Sequence, residues 1–312
     1  KPANVGRGIG IGHRSQGGGD AHVLLKVHSD GRITAGVSSF DPGPGTFTIV
    51  AQAVAEELGV SAERVEVSTY SSAEGAFDFG VGASRGARVW SAAGYEAGKE
   101  AKGQLRRLAA EFMGWSEEAI TMAEGHLVNG SDGRVKIEEI VARAGDEPLS
   151  VNGDVQEQFG SPYTSFGVHV AEVEVDPDTG VVELTNYTAA HETGRMLNPV
   201  GFHGQIEGGI VYGIGESLMS ELIVDESGRV SNASMADFKI PTERDIPPLK
   251  TLVLESDGGH GPYAVRGIGE HTNIMVAAAI ANAVADAIGT RIDSVPITAE
   301  KVLKEVRENQ AR

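Results

Sequence analysis

The chain has 312 residues, enough for two lobes with a core each, and its 40% hydrophobic content argues for a folded protein over a disordered one. Acidic residues outnumber basic ones 44 to 26, and the resulting formal net charge of -18 repels nucleic acid and anionic membrane surfaces. Cysteine is absent, which excludes disulfides, thiolate zinc sites and iron–sulfur ligation by this chain, so any redox chemistry rests on a bound cofactor.

The first residues, KPANVGRGIG, have no apolar signal-peptide core and no initiator Met, which fits a processed chain or one piece of a longer polypeptide. The string GRGIGIG has no strand before it and no helix after it, so a dinucleotide-binding fingerprint is not supported. From His22 to Ser39, apolar and polar residues alternate around Ser29-Asp30-Gly31, which predicts a β-hairpin. The glycine loop DPGPGT then opens a helix predicted over FTIVAQAVAEELG and closed by Gly59. A long helix is expected from about Ala87 to Met113. The turn formers from Gly145 to Pro162 predict a connector, which places the first lobe at residues 1–150 and the second at 151–312.

In the second lobe, His169 to Ala190 forms another predicted hairpin, around Asp176 to Gly180, followed by the glycine-rich GFHGQIEGGIVYGIGESL. A third, looser unit joins LKTLVLES, GPYAVRGIGE and an apolar helix from Ile274 to Ile288. That apolar run is interrupted by Asn282 and Asp286 and is shorter than the ~20 residues that span a bilayer. Strand, glycine loop and helix thus recur three times, which points to internal duplication. Antiparallel hairpins without regular strand–helix alternation predict an α+β fold.

Glycine loops that run into helices suit anions, because the backbone comes close and the first-turn N–H groups are unpaired. Three such loops occur: Gly43 to Thr46, Gly82 to Gly86, and Gly267 to Gly269. GASRG also matches a nucleophile elbow, which makes Ser84 a candidate serine-hydrolase nucleophile with His260 completing a triad. The stretch ahead of it, SSAEGAFDFGV, is too broken by Gly, Glu and Asp to be the strand an elbow needs. DPDTG at Asp176 fails as a calcium loop because its glycine comes one place early. The nine histidines show no H-E-x-x-H spacing. Glu270 lies between Gly-Ile-Gly and an almost wholly apolar helix, which places a carboxylate in the interior or at a cleft as a candidate base.

Read together, GQIEGGIVYGIGESLMSEL, GRMLNP, ADFKIPT and RGIGEHTNIMVAAAIANAVADAIG resemble, in order and spacing, the molybdopterin-binding subunit of the xanthine dehydrogenase and aldehyde oxidase family. The likeness continues upstream through DPGPGTFTIVAQAVAEELGV and GASRGARVWSAAGYEA. It corresponds to the C-terminal half of that subunit only, as in split-chain enzymes of the nicotinate dehydrogenase type.

The resemblance implies a molybdenum hydroxylase that takes oxygen from water to hydroxylate an electron-poor carbon of an aromatic N-heterocycle or aldehyde, with Glu270 as general base. It makes Gln205 a ligand of the pterin, Ser84 and Gly86 part of a phosphate site, and Gly43, Gly45, Thr46, Gly267, Ile268 and Gly269 backbone contacts of the cofactor. No residue of this chain ligates the metal. The cofactor is expected as the cytosine dinucleotide form of molybdopterin. A second molybdopterin-binding chain, an iron–sulfur subunit and an FAD subunit are expected as partners in a cytoplasmic complex, with no nucleic acid and no membrane. A carbon monoxide dehydrogenase relative is disfavoured, its copper-binding cysteine lying on the partner chain. One departure stands out: Gly43-Pro44-Gly45 replaces the family's Gly-Gln-Gly, which removes a side-chain amide and a backbone donor. A serine hydrolase and a non-catalytic cofactor-binding subunit are the competing readings.

Overall fold

The computed structural model describes residues 2–71, 73, 75–130, 133–157, 164–259 and 261–310. In chain order, strands β1 (Val5–Ser15), β2 (Gly19–Val27) and β3 (Ile33–Val37) precede helix α1 (Thr46–Leu58), strand β4 (Val65–Thr69) and helix α2 (Gly86–Met113). A three-stranded sheet of β5 (Ile120–Ala123), β6 (His126–Asn129) and β7 (Gly133–Lys136) follows, with α3 (Ile137–Ala144). Then come β8 (Leu149–Glu157), β9 (Thr164–Val175), β10 (Val182–Glu192), α4 (Pro199–Leu218), β11 (Leu249–Leu254), α5 (Val276–Ile288) and α6 (Ala299–Gln310).

Two four-stranded sheets carry the fold, ordered β4-β3-β2-β8 and β11-β10-β9-β1. Their topologies are the same. In each, an antiparallel hairpin (β2–β3 or β9–β10) leads through a helix (α1 or α4) to a fourth strand parallel to the second (β4 or β11). A second helix, α2 or α5, then lies on the sheet. The duplication is therefore twofold, and the third unit read from the sequence is the latter half of the second copy.

The two copies exchange their first strands. β1 precedes β2 in the chain but pairs with β9, Val5 opposite Glu174, while β8 precedes β9 but pairs with β2, Gly19 opposite Glu157. Half of the predicted connector at 145–162 is thus strand β8, and its last residues, 158–162, lie outside the described residues. The 150/151 division falls two residues inside β8.

Each exchanged strand meets the helix of the other copy through glycine. A Cβ on Gly8 would lie 2.1 Å from the Ala279 carbonyl and from the Ala283 amide, and one on Gly153 would lie 2.0 Å from the Ala93 carbonyl. Only residues without side chains let a backbone strand approach a helix so closely. The alternating glycines of GRGIGIG therefore belong to a strand that packs against α5, not to a phosphate loop. Two cores result. One gathers Val23, Leu25, Val54, Leu58, Trp90 and Leu105 around the first sheet; the other gathers Val173, Tyr187, Ile206, Ile210, Ile280 and Val302 around the second.

Candidate functional site

The duplication places four loops at equivalent corners: those before α1 and α4, and those before α2 and α5. They meet at a cleft of about 310 Å³ between the two cores. Pro42 to Thr46, Val81 to Gly86, Arg195 to Asn198 and Val265 to Glu270 all contribute to its walls, and α4 adds Phe202 and Gln205. Of the ten residues expected from sequence, Gly43, Thr46, Ser84, Gly86, Gln205, Gly267, Ile268, Gly269 and Glu270 line this cleft, whereas Gly45 sits behind it.

Glu270 is held from one side and open on the other. Its Oε2 accepts a hydrogen bond from Arg14 at the end of β1, and its Oε1 accepts one from the Ala83 amide at 3.2 Å. Its own amide donates to Ser84 Oγ at 2.8 Å, and its side chain remains 44% exposed toward the cleft. The first turn of α5 starts only at Val276, beyond the reach of its dipole on this carboxylate. An arginine and an amide hold it instead.

Ala83 and Ser84 both adopt left-handed backbone conformations, with φ of 57° and 55°. For non-glycine residues each such conformation costs about 1–3 kcal/mol and persists where the surroundings over-determine it. Here the Gly17 amide donates to the Ala83 carbonyl at 2.8 Å, and Gly267 lies so close that a Cβ there would be 1.6 Å from the Ser84 carbonyl. Below the loop, the fully buried Arg85 pairs with Asp78 at 2.9 Å and with the carbonyls of Gly18, Gly80 and Asp20. No strand leads directly into the Ser84 turn, its hydroxyl accepts the Glu270 amide, and His260 lies outside the described residues. This is not the geometry of a nucleophile elbow.

The first glycine loop differs from expectation. Asp41 accepts from the amides of Gly43 and Gly45 through Oδ1, at 2.9 and 3.2 Å, and from that of Phe47 through Oδ2 at 3.1 Å. Those two glycine amides therefore face a carboxylate of their own chain. Close packing requires one of the two: a Cβ on Gly45 would meet Asn198 Nδ2 at 2.6 Å, whereas Gly43 has nothing within 4 Å, and Gly201 of α4 lets the Pro44 carbonyl approach, a Cβ there lying 2.6 Å from it.

What remains free suits an anion. Thr46, the first residue of α1, buries a hydroxyl with no partner in the structure, beside Gly86, the first residue of α2. Arg195 also lines the cleft, exposed and paired only loosely with Asp257 at 3.3 Å, whereas the Arg266 guanidinium is already engaged by Glu192 and by the carbonyls of Thr164 and Gly258. Sequence reasoning missed Arg14, Asp41, Arg195 and Arg266, since each works across a long sequence separation or against its own loop. Among the described residues no cluster of three or more His, Asp or Glu stands ready to hold a metal ion. Nor is any described helix long and apolar enough to cross a membrane.

Duplicated loops that converge on a cleft with an exposed arginine and an unpartnered buried hydroxyl have the form of a binding domain for an anionic ligand. The model of the molybdopterin cofactor-binding domain matches residues 2–247, and the chain belongs to that family. The 6-hydroxypseudooxynicotine dehydrogenase complex subunit gamma of Paenarthrobacter nicotinovorans is 30% identical over 320 residues, 97% of this chain and 39% of its own length. The aldehyde oxidoreductase molybdenum-binding subunit PaoC of Escherichia coli is 32% identical over 303 residues, 96% of this chain and 40% of its own. The crystal structure of quinoline 2-oxidoreductase from Pseudomonas putida 86 superposes with a TM-score of 0.87 at 27% identity, covering 98% of this chain and 42% of that one. The chain thus spans about two fifths of the length of these relatives.

Proposed function

We propose that this chain is the second cofactor-binding part of a molybdenum hydroxylase, in which Glu270 is the general base for hydroxylation of an electron-poor carbon of an N-heterocycle or aldehyde. The observation that carries the reading is the placement of Glu270: clamped by Arg14 and Ala83 on one side and open on the other to the cleft lined by the loop residues. The cleft fits the cofactor. The unpartnered Thr46 hydroxyl, the N-terminus of α2, Arg195 and Gln205 would hold its phosphate and pterin parts, with Ser84 fixing the loop between them. When bound, molybdenum supplies an acidified hydroxyl and an electron acceptor. Glu270 takes the proton at Oε1, whose partner among the described residues is a single amide.

The cytosine dinucleotide form of the cofactor belongs to this reading, as do a second molybdopterin-binding chain and iron–sulfur and FAD subunits in a cytoplasmic complex. With no cysteine in the chain, electrons must leave through clusters held elsewhere. The outer face of the second sheet supports a partner. Ile11, Val168, Ala190 and Leu252 lie side by side across its four strands, with Phe166 and Leu254 in the next row, and Ile11 is 76% exposed. We assign that face to the absent remainder of the subunit, since more than half the length of the relatives lies outside this chain. In the same reading the chain forms two lobes that divide near residues 150–157, with β1 exchanged into the second lobe and β8 into the first, and the second lobe carries the base.

Metal and pterin analysis of the complex isolated from its native source tests the proposal. Stoichiometric molybdenum, with release of cytidine monophosphate on acid hydrolysis, is the expected result. A complex free of molybdenum whose Ser84 is labelled by a fluorophosphonate would replace it with the hydrolase.

A further inference from the structure

A buried series of hydrogen bonds runs through the second core and ends beside Glu270. Tyr187 Oη lies 2.9 Å from His169 Nδ1, His169 Nε2 lies 3.0 Å from His191 Nε2, and His191 Nδ1 lies 3.0 Å from His271 Nε2. His169 and His191 are completely buried, and Tyr187 and His271 are 1% exposed. The strand register builds the series: Ala189 sits opposite His169, so its neighbours Tyr187 and His191 flank that imidazole diagonally. Gly167, opposite His191, leaves the room through which His191 reaches His271.

The rings are neutral. Burial pushes His169 down to about 3, helped by the fields of His191 and His271, and pushes His191 down to about 4. Burial likewise lowers His271 to about 3, assisted by His191 and by Arg14, the charged side chain on β1 whose field reaches it. A neutral imidazole has one N–H, so three bonds in series share a single polarity. The Tyr187 hydroxyl has one partner among the described residues and therefore donates to His169. His169 then donates to His191, His191 to His271, and His271 keeps its hydrogen on Nδ1. That hydrogen faces the Ile268 carbonyl, although outside hydrogen-bond geometry. The inner end is a buried phenol, so the series has no outlet for a proton and cannot act as a relay.

We propose that Tyr187, His169, His191 and His271 form an uncharged hydrogen-bonded spine that positions Glu270, fixing the loop from Gly267 to His271 on the second sheet so that the carboxylate faces the cleft. These are positioning residues, and the inference rests on reading Glu270 as the base. Arg14 of β1 ties the Glu270 carboxylate to the edge of the second sheet, and Ser165 of β9 holds the Gly267 carbonyl, while Ala83 and Ser84 bind Glu270 from the other lobe; the adjoining His271 adds the anchor that reaches into the middle of the sheet.

The test is His191→Phe in the assembled holoenzyme, which keeps a planar ring and removes the bonds to His169 and His271, beside His191→Gln, which is smaller than Phe and keeps polar atoms. In His191→Phe, amide hydrogen exchange across 267–271 should rise at least tenfold. Turnover per bound molybdenum should fall about tenfold or more, with KM within threefold and molybdenum content unchanged; His191→Gln should recover part of both effects. Unchanged exchange overturns the proposal. So does faster exchange with turnover per molybdenum intact, provided that Glu270→Gln abolishes turnover; if Glu270→Gln is active, the reading of the base has failed instead. Should His191→Phe not fold, Tyr187→Phe decides, with a two- to fivefold change in both readouts expected and no change overturning the spine.

Discussion

Replacing Gly8 with Ala probes the exchanged strand directly. The new methyl carbon would meet two backbone atoms of α5, the Ala279 carbonyl and the Ala283 amide, each at 2.1 Å. Ordinary contact begins near 3.4 Å, so the strand and helix must separate by more than 1 Å, and a helix backbone cannot yield as a side chain does. Overpacking of this kind costs about 1–3 kcal/mol, while the stiffer unfolded chain returns about 0.4–1 kcal/mol. The net loss is about 1–2 kcal/mol, or roughly 2–3 °C in Tm for a chain of this size.

Two controls frame it. At Gly12 the nearest atom is the flexible Met275 Cγ at 2.8 Å, so Gly12→Ala should cost less than Gly8→Ala. Gly208, exposed within α4, has nothing within 4 Å, and Gly208→Ala should stabilise by about 0.5–1 kcal/mol. Thermal unfolding of the purified chain, followed by circular dichroism, reads all three. If Gly8→Ala melts at or above the parent temperature, the pairing of β1 with the second sheet under α5 is wrong.

The remaining expectations concern the site and its support. Because His169, His191 and His271 titrate at about 3 to 4 when folded and near 6.5 when unfolded, the unfolded chain binds more protons below pH 6.5. Their contribution to stability is therefore full above pH 6.5 and falls as the pH drops toward 4, with a slope approaching about 4 kcal/mol per pH unit for three protons. Urea unfolding between pH 7 and 4.5 measures it, and His169→Gln, which removes one of the three protons, should make the slope shallower. Gly267→Ala drives a methyl into the Ser84 carbonyl, and bound molybdenum per chain should drop more than tenfold in metal analysis. Asp41→Ala strips the acceptor from three amides at the start of α1 and should destabilise the first lobe by about 0.5–2 kcal/mol in chemical denaturation.

Local patterns were readable wherever neighbours in sequence are neighbours in space. Both hairpins and the long helix α2 stand where alternation, turn residues and helical spacing predict them. The strand exchange was hidden, because nothing near Val5 records a partner at Glu174. β8 does carry a signal: Val151, Gly153 and Val155 alternate with Asn152, Asp154 and Gln156, and its polar half made an edge strand resemble a connector. The glycines of β1 were rightly not read as a dinucleotide loop, but their packing on α5 was hidden, since a residue without a side chain does not show what needs the space. The apolar run after Glu270 concealed a buried, non-helical stretch in which His271 and Thr272 pack before α5 begins. In the cleft, the loops were legible as loops, but Asp41 as a competitor for their amides and Arg14 as the clamp on Glu270 follow only from the folded backbone.

The most direct test of the central claim is turnover of Glu270→Gln in the assembled complex, normalised to bound molybdenum. The amide keeps the shape of the side chain but cannot take up a proton near neutral pH. The account expects molybdenum and pterin at parental levels with kcat/KM reduced by about 10²- to 10⁴-fold, the range a general base supplies. Parental turnover per molybdenum in that variant would contradict it.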